Sequence, residues 1–301
     1  MRIPLPLLLL QISQLTTHTV TAFAKRARST QPKSPVVRHG DDLSLLIVER
    51  QYRSKNNIQY LIGSDDSGRG TIAGPVVTAS VCLLQDPEIY QPHALTTLRD
   101  AKLLTPELRR EIYDHVTSHP ERYAWNICTV SNRAVDELNV LKASMDCFAD
   151  GIDELVDSHE GMRGDTGGVY AIVDGQKSPK LRPRRVAAPD GSDTDVTAAV
   201  KCKPWIKGDS LVYTVALASV LARVAHDDIM TEMGALYPEY NLGENRGYQT
   251  DEHIKAIHKF GPCPIHRMST KALKGRVFTT YASADEGGGG GGMDSAYEEL
   301  G

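Results

Sequence analysis

The apolar residues of this chain fall into two patterns, short β-branched runs and longer stretches with helical spacing. Short apolar runs predict strands over residues 60–63, 76–84, 123–130 and 169–173, and the last of these ends on Asp174. Helical stretches separate several of the runs. Strands that alternate with helices predict an α/β fold.

Four stretches predict helices by their spacing or their end signals. Thr105 and Pro106 supply a cap and a first-turn proline for a helix that buries its apolar side chains. Residues 211–222 carry no charge and are too few to cross a bilayer, so they predict a buried helix. Thr250 begins a last helix, which the Gly-Pro pair at 261–262 ends. A longer helix is predicted by apolar residues at steps of three and four: Leu138, Leu141, Met145, Phe148, Ile152 and Leu155.

The two ends of the chain differ from the middle. Residues 1–40 carry six Lys or Arg and no acid, with an apolar run, an Ala-Phe-Ala triplet and a basic cluster in series. This composition predicts a targeting presequence, for a plastid in preference to a mitochondrion. The alternative is a disordered extension, with the protein then in the cytoplasm or nucleus. Residues 282–301 are a glycine run flanked by acids and predict a disordered tail.

Between the two ends the sequence predicts one α/β domain, from about residue 45 to 280, with a polar surface loop over 180–201. The formal net charge of the chain is −4, whereas nucleic-acid-binding proteins are usually basic. That objection weakens if several of the acids bind divalent cations. The five cysteines are scattered and form no CxxC pair, so neither a zinc site nor a disulfide framework is predicted.

The strongest chemical signal is a pair of carboxylates before a glycine-rich turn. Asp65 and Asp66 offer oxygen ligands of the kind that Mg²⁺ and Mn²⁺ prefer. Gly68 and Gly70 let the backbone come close to a ligand, and Arg69 between them can bind a phosphate. An isolated Asp-Asp pair at a turn is usually only solvated, so the glycines and the arginine carry the signal.

Residues 65–70 read Asp-Asp-Ser-Gly-Arg-Gly, which is similar to the Asp-Glu-Ala-Gly-Arg-Gly signature of the ribonuclease HII family. Other segments resemble family blocks in the same order along the chain. They are residues 100–105, 136–141, 173–175, 207–209, 218–224, 247–250 with His253, 261–262 and 266–269. The resemblance covers residues 60 to 270, most of the predicted domain.

The resemblance implies a ribonuclease H-like fold, a central mixed sheet flanked by helices with a helical C-terminal part. It implies an endonuclease that cuts the RNA strand of RNA/DNA hybrids and cuts 5′ of single ribonucleotides in duplex DNA. The expected products are a 5′-phosphate and a 3′-hydroxyl, in ribonucleotide and RNA primer removal. Two divalent ions, Mg²⁺ or Mn²⁺, would be held by four carboxylates. The implied ligands are Asp65, Asp66, Asp174 and Asp209.

The same resemblance suggests how the substrate is selected. Gly68, Arg69 and Gly70 would contact the 2′-hydroxyl that distinguishes RNA. Tyr248 would stack on the sugar of the next deoxynucleotide; the alternative is a half-buried core tyrosine. The basic run over residues 177–185 either contacts the duplex or is a solvated loop. Three further cations are either phosphate contacts or surface charges: Lys102, Lys207 and Arg267.

The chain departs from the family at several positions. Asp66 stands where glutamate is usual, Arg223 replaces a lysine, and His226 replaces an arginine before Asp227. Asp227 is therefore expected to be a structural partner in its helix. The shorter Asp66 leaves open a catalytically weak or inactive hybrid-binding module.

Further alternatives are another nuclease of the same fold, such as ribonuclease HIII or a resolvase, and the catalytic subunit of the eukaryotic three-subunit enzyme. The Gly-Arg-Gly turn and Tyr248 favour the HII type, and the leader makes the eukaryotic subunit less favoured. A monomer, without membrane association in the mature form, is expected.

Overall fold

The structure is a computed structural model that describes residues 18–21, 44–85, 95, 98, 101–164, 168–186, 196–198, 200–276 and 278. The predicted tail lies outside these residues. Of the predicted presequence the structure describes four residues, which form an edge strand, and the rest lies outside the described residues. Targeting stays a prediction.

A mixed six-stranded sheet has the order β1-β4-β3-β2-β5-β8, and β6 pairs with β7 separately. The strands are β1 (His18–Thr21), β2 (Tyr60–Ser67), β3 (Val76–Leu83), β4 (Tyr123–Val130), β5 (Val169–Asp174), β6 (Arg184–Val186), β7 (Val196–Ala198) and β8 (Lys201–Trp205). Strand β2 is antiparallel to β3 and parallel to β5. Ser64 lies beside Val173 in that parallel pair, so the acids that follow both residues emerge at one edge of the sheet.

Helices cover both faces of this sheet. They are α1 (Ser44–Asn56), α2 (Pro106–Ser118), α3 (Asn132–Leu138), α4 (Val140–Ser158), α5 (Glu160–Gly164), α6 (Tyr213–Leu236), α7 (Leu242–Asn245) and α8 (Asp251–Phe260). Val77, Ala79 and Val81 of β3 share one core with α6, whereas Cys82, the residue after Val81, shares another with α4. Successive strand residues face opposite sides, so α4 and α6 sandwich the sheet. The predicted ribonuclease H-like fold is confirmed.

The long helix α6 lies directly against β2 because Gly63 has no side chain. A Cβ at Gly63 would lie 2.3 Å from the backbone atoms Thr214 C and Val215 N. The start of α6 has no side-chain cap of its own. The buried carboxylate of Glu49 in α1 replaces it, accepting hydrogen bonds from Thr214 N and Oγ1 at 2.8 and 2.9 Å.

Three sequence predictions differ from the structure. The stripe that begins at Leu138 is interrupted at Asn139, whose φ of 68° ends α3 and whose side chain caps α4. Helix α6 continues to Leu236, beyond the uncharged run, because its second half exposes a charged face. The predicted loop over 180–201 contains β6 and β7, and β8 begins at its last residue.

Within the part of the chain that the structure describes, no helix is both long enough and apolar enough to span a bilayer.

Gly63→Ala is expected to destabilise the fold by about 3 kcal/mol or more, because the new methyl group meets helix backbone that cannot move aside. The control is Gly243→Ala, since a Cβ there has no other atom within 4 Å. Thermal denaturation measures both variants. Equal melting temperatures for the two would contradict the close contact between β2 and α6.

Candidate active site

A pocket opens where β2 and β5 end, at the edge of the sheet. It brings three of the four predicted carboxylates together with the glycine turn, Tyr248 and Lys102. Its lining residues are Asp65, Asp66, Ser67, Gly68, Arg69, Gly70, Ala101, Lys102, Asp174, Ser219, Arg223 and Tyr248. Carboxylates, cations and an aromatic ring therefore share one concave surface.

Asp65 is the most deeply buried of these acids, with 7% of its surface exposed. Burial raises the pKa of Asp65 well above its ordinary value, and the negative charges of Asp66 and Asp174 raise it further. The Ser219 hydroxyl and the Asp66 backbone N–H, which is 2.8 Å from Oδ1, donate hydrogen bonds that favour the ionised form. These neutral donors only partly offset the repulsion.

Asp66 has a cationic partner of its own. Burial raises the pKa of Asp66 and Asp174 adds to the rise, while Arg69 and Lys102 oppose it. The guanidinium of Arg69 lies 2.5 Å from Oδ1 of Asp66. The aspartate at this position is thus held by the arginine of the glycine turn.

Asp209 is placed differently from the expectation that four acids converge. It is buried in a short 3₁₀ turn, Gly208–Ser210, and does not line the pocket. The turn contacts the site through Gly208, whose N–H donates to Asp174 Oδ1 at 2.7 Å. The resemblance placed all four carboxylates together. The structure groups Asp65, Asp66 and Asp174, and Asp209 lies next in sequence to Gly208, which contacts Asp174.

The donor chemistry of the pocket fits a divalent cation. Carboxylate oxygens suit Mg²⁺ and Mn²⁺, and a cation beside Asp65 would relieve the repulsion that raises its pKa. Among the described residues, no three acidic, His or Cys side chains converge closely enough to coordinate one ion as they stand. The reason is that Asp66 points to Arg69 and Asp174 to Gly208.

The glycine turn depends on its lack of side chains. Gly68 has a φ of +85°, and a Cβ there would lie 2.6 Å from both His226 Nε2 and Pro75 O. A Cβ at Gly70 would lie 3.9 Å from Cε1 of Tyr248. The turn therefore packs against α6 on one side and faces the tyrosine on the other.

Arg267 has a different role from the predicted phosphate contact. Only 1% of its surface is exposed, and its guanidinium donates to the carbonyls of Gly74, Thr71 and Pro75 at 2.9, 3.1 and 2.7 Å. Burial lowers its pKa to about 10. Its donors are used inside the protein, where they fix the segment that follows the glycine turn.

The other predicted cations differ in position. Lys102 is exposed at the pocket, whereas Lys207 is exposed outside the lining residues. In the basic run, Arg182 and Arg184 form ion pairs with Asp153 and with Asp157. Those two arginines therefore bind α4, which neither the duplex contact nor the solvated loop predicted.

Four pocket residues were not predicted as site residues, and two of them, Ser219 and Arg223, contact residues that were. Ser219 is a hydroxyl in the uncharged run of α6, and that isolated polar position was the available signal. Arg223 lies 5.8 Å from the ring centre of Tyr248 and donates to its hydroxyl at 3.4 Å. The tyrosine is 37% exposed, so it is not a core residue.

Asp227 faces arginines from three different segments. Its carboxylate lies within 4.0 Å of Arg109, Arg223 and Arg246. Burial alone would raise the pKa of Asp227, but His226, Arg223 and Arg246 outweigh it, so the pKa is lowered. The residue is the structural partner that the sequence indicated.

Arg267→Met is expected to lower stability by about 3 kcal/mol, because three buried carbonyls lose a charged donor. The matched control, Arg133→Met, alters an exposed arginine and is expected to leave the melting temperature nearly unchanged. Denaturant unfolding compares the two. If Arg267→Met instead kept full stability and lost only affinity for nucleic acid, the prediction that Arg267 contacts a phosphate would be correct.

The family model and the curated relatives that this chain resembles agree on one family. The family model for ribonuclease HII matches residues 62–273. Ribonuclease HII of Caldanaerobacter subterraneus subsp. tengcongensis is 34% identical over 73% of this chain and 78% of its own length. That of Mycoplasma mycoides subsp. mycoides SC is 34% identical over 74% and 92%. The crystal structure of ribonuclease H2 from Pyrococcus horikoshii OT3 aligns with a TM-score of 0.47 and 20% identity, over 71% of this chain and 95% of its own. The chain belongs to the ribonuclease HII family.

Proposed function

We propose that this pocket cuts the RNA strand of RNA/DNA hybrids and cuts 5′ of single ribonucleotides in duplex DNA. Ribonuclease H endonuclease activity follows from family membership. The observation that supports the finer proposal is the grouping of Asp65, Asp66 and Asp174 beside the glycine turn and Tyr248. Ribonucleotide and RNA primer removal are the cellular processes that such an activity serves.

Divalent cations, Mg²⁺ or Mn²⁺, are the cofactors of a ribonuclease of this family. Asp65, Asp66 and Asp174 would hold them, with Asp209 in the adjoining turn as the fourth candidate ligand. Bound cations would activate water and stabilise the leaving 3′ oxygen, giving a 5′-phosphate and a 3′-hydroxyl.

The chain's own groups account for substrate selection. The exposed backbone of Gly70 and the torsion of Gly68 let main-chain atoms approach a ribose 2′-hydroxyl. Lys102 and Arg69 provide positive charge for the phosphate, and Arg69 must leave Asp66 to do so. The half-exposed ring of Tyr248 beside Gly70 offers a flat surface to the next sugar.

Asp174→Asn is expected to lower cleavage at least about a hundredfold, because a neutral amide loses several kcal/mol of cation stabilisation. The fold should persist, since the amide oxygen can still accept from Gly208 N–H. The assay uses a duplex with one embedded ribonucleotide, with and without Mg²⁺ or Mn²⁺. Asp146→Asn, an exposed acid of α4, is the control.

If the wild-type protein binds that duplex but never cleaves it with either metal, the inactive hybrid-binding module is correct. In that case the aspartate in place of glutamate at position 66 would be the first residue to test, by Asp66→Glu.

Tyr248→Ala is expected to lower cleavage at a single ribonucleotide at least about tenfold more than cleavage of a continuous hybrid, the scale of one lost aromatic stack. Tyr248→Phe keeps the ring and loses only the hydroxyl near Arg223, so it should keep the preference. Rates on two duplexes of the same sequence measure the effect. Equal losses on both duplexes would contradict a role for this ring at the junction.

A further inference from the structure

Two buried histidines form a continuous hydrogen-bonded chain behind Tyr248. His253 of α8 and His266 are 0% and 2% exposed, and their Nε2 atoms are 3.0 Å apart. Nδ1 of His253 lies 2.9 Å from the carbonyl oxygen of Tyr248. Nδ1 of His266 lies 2.9 Å from the backbone nitrogen of Cys263.

The chemistry of the two ends determines where the protons are. The Tyr248 carbonyl can only accept, so Nδ1 of His253 must carry a hydrogen, and its Nε2 is then an acceptor. Nε2 of His266 must therefore donate to it, which leaves Nδ1 of His266 to accept from the Cys263 N–H. The opposite order would set two acceptors against each other at the carbonyl. This pair of neutral tautomers satisfies the three shortest contacts, at 2.9, 3.0 and 2.9 Å, and leaves only the longer approach of His266 Nδ1 to the Cys263 carbonyl oxygen, 3.2 Å, without a hydrogen.

We propose that His253 and His266 are positioning residues. They hold Tyr248 beside the glycine turn through this row of hydrogen bonds. The proposal rests on the proposed role of Tyr248 at the junction. Neither imidazole lines the pocket, so both act through the tyrosine and not on the substrate.

The hydrogen-bonded histidine pair also connects Tyr248 to the segment that follows the glycine turn. Ala73 forms an isolated β-bridge with His266, and the Ile72 N–H donates to the Gly247 carbonyl at 2.8 Å. A shift of His266 would thus move the segment that carries Gly70 and the one that carries Tyr248 together.

Acid should weaken this arrangement, because a second proton on His253 places hydrogens on both facing Nε2 atoms, and a second proton on His266 places one on Nδ1, opposite the Cys263 N–H. Burial lowers the pKa of His253, and burial together with His253 lowers the pKa of His266 to about 4. Tyr240 packs against both rings, Cys263 contacts His266, and no carboxylate contributes to either shift among the described residues. Since an unfolded histidine titrates near 6.5, the pair stabilises the fold fully above about pH 6.5 and progressively less toward pH 4.

The test compares substrate preference, the ratio of cleavage at a single ribonucleotide to cleavage of a continuous hybrid. His253→Leu and His266→Leu are expected to lower this ratio about tenfold or more, because a small displacement of a positioning group has effects of that size. His253→Asn retains a donor for the Tyr248 carbonyl, and His266→Gln retains one for His253, so both should keep most of the ratio. Tyr240→Phe is the control, since it removes a neighbouring buried hydrogen bond to Gly261 and leaves the chain intact.

A second measurement is independent of activity. Nitrogen NMR of the ¹⁵N-labelled imidazoles should show the Nδ1–H tautomer for His253 and the Nε2–H tautomer for His266. Other tautomers, or Leu variants that fold with an unchanged ratio while Tyr248→Ala lowers it, would overturn the proposal. If Tyr248→Ala itself leaves the ratio unchanged, the proposed role of the tyrosine at the junction is wrong. The histidine pair, if it shows the predicted tautomers, would then only support the structure of the turn.

Discussion

The contact between α6 and β2 is the constraint on which the site depends. Gly63 lets the first turn of α6 lie on the strand with no side chain between them. The later turns of the helix then bring Ser219 to Asp65 and Arg223 to Tyr248. A wider separation would remove the hydroxyl that stabilises the buried carboxylate and would open the pocket wall. The distance between one helix and one strand therefore sets the geometry of the whole site.

Electrostatics within the pocket explains why the cations there are arranged as they are. Three acids share a small volume, and burial raises the pKa of Asp65 and Asp66. Arg69 neutralises Asp66, whereas the donors to Asp65 are a hydroxyl and an amide. The negative charge of an ionised Asp65 therefore has no cationic partner among these donors at the deepest point of the pocket. Positive charge from a divalent ion is what such a site lacks, as the donor chemistry indicates.

Much of the fold and of the site could be predicted from the sequence. Strands β2 to β5 and the cap at Thr105 follow from local patterns, because apolar alternation and capping act over a few residues. The break at Asn139 could not be seen, since the apolar spacing continues through it while the backbone turns. Strand β8 was missed because its Lys-Cys-Lys-Pro-Trp sequence has no apolar run and its pairing with β5 is long-range.

Some site residues could likewise be predicted from local sequence patterns, and others could not. Asp65, Asp66 and Asp174 come together because parallel strands bring their carboxyl ends to one edge, which the strand pattern already implied. The structural role of Arg267 could not be predicted from sequence, because a charged side chain is expected to be exposed unless its burial is known. Arg223 was noted only as a departure from the family, and its contact with Tyr248 depends on how α6 meets the segment after α7.

The cap that Glu49 provides has a consequence for proteolytic maturation. This glutamate lies in α1, more than a hundred residues before the helix whose first N–H groups it satisfies. A cut that removed Glu49 would leave those groups of α6 without their acceptor, at the end that rests on Gly63. Any leader that is removed from this protein would therefore have to be cut before Glu49 for α6 to keep this acceptor.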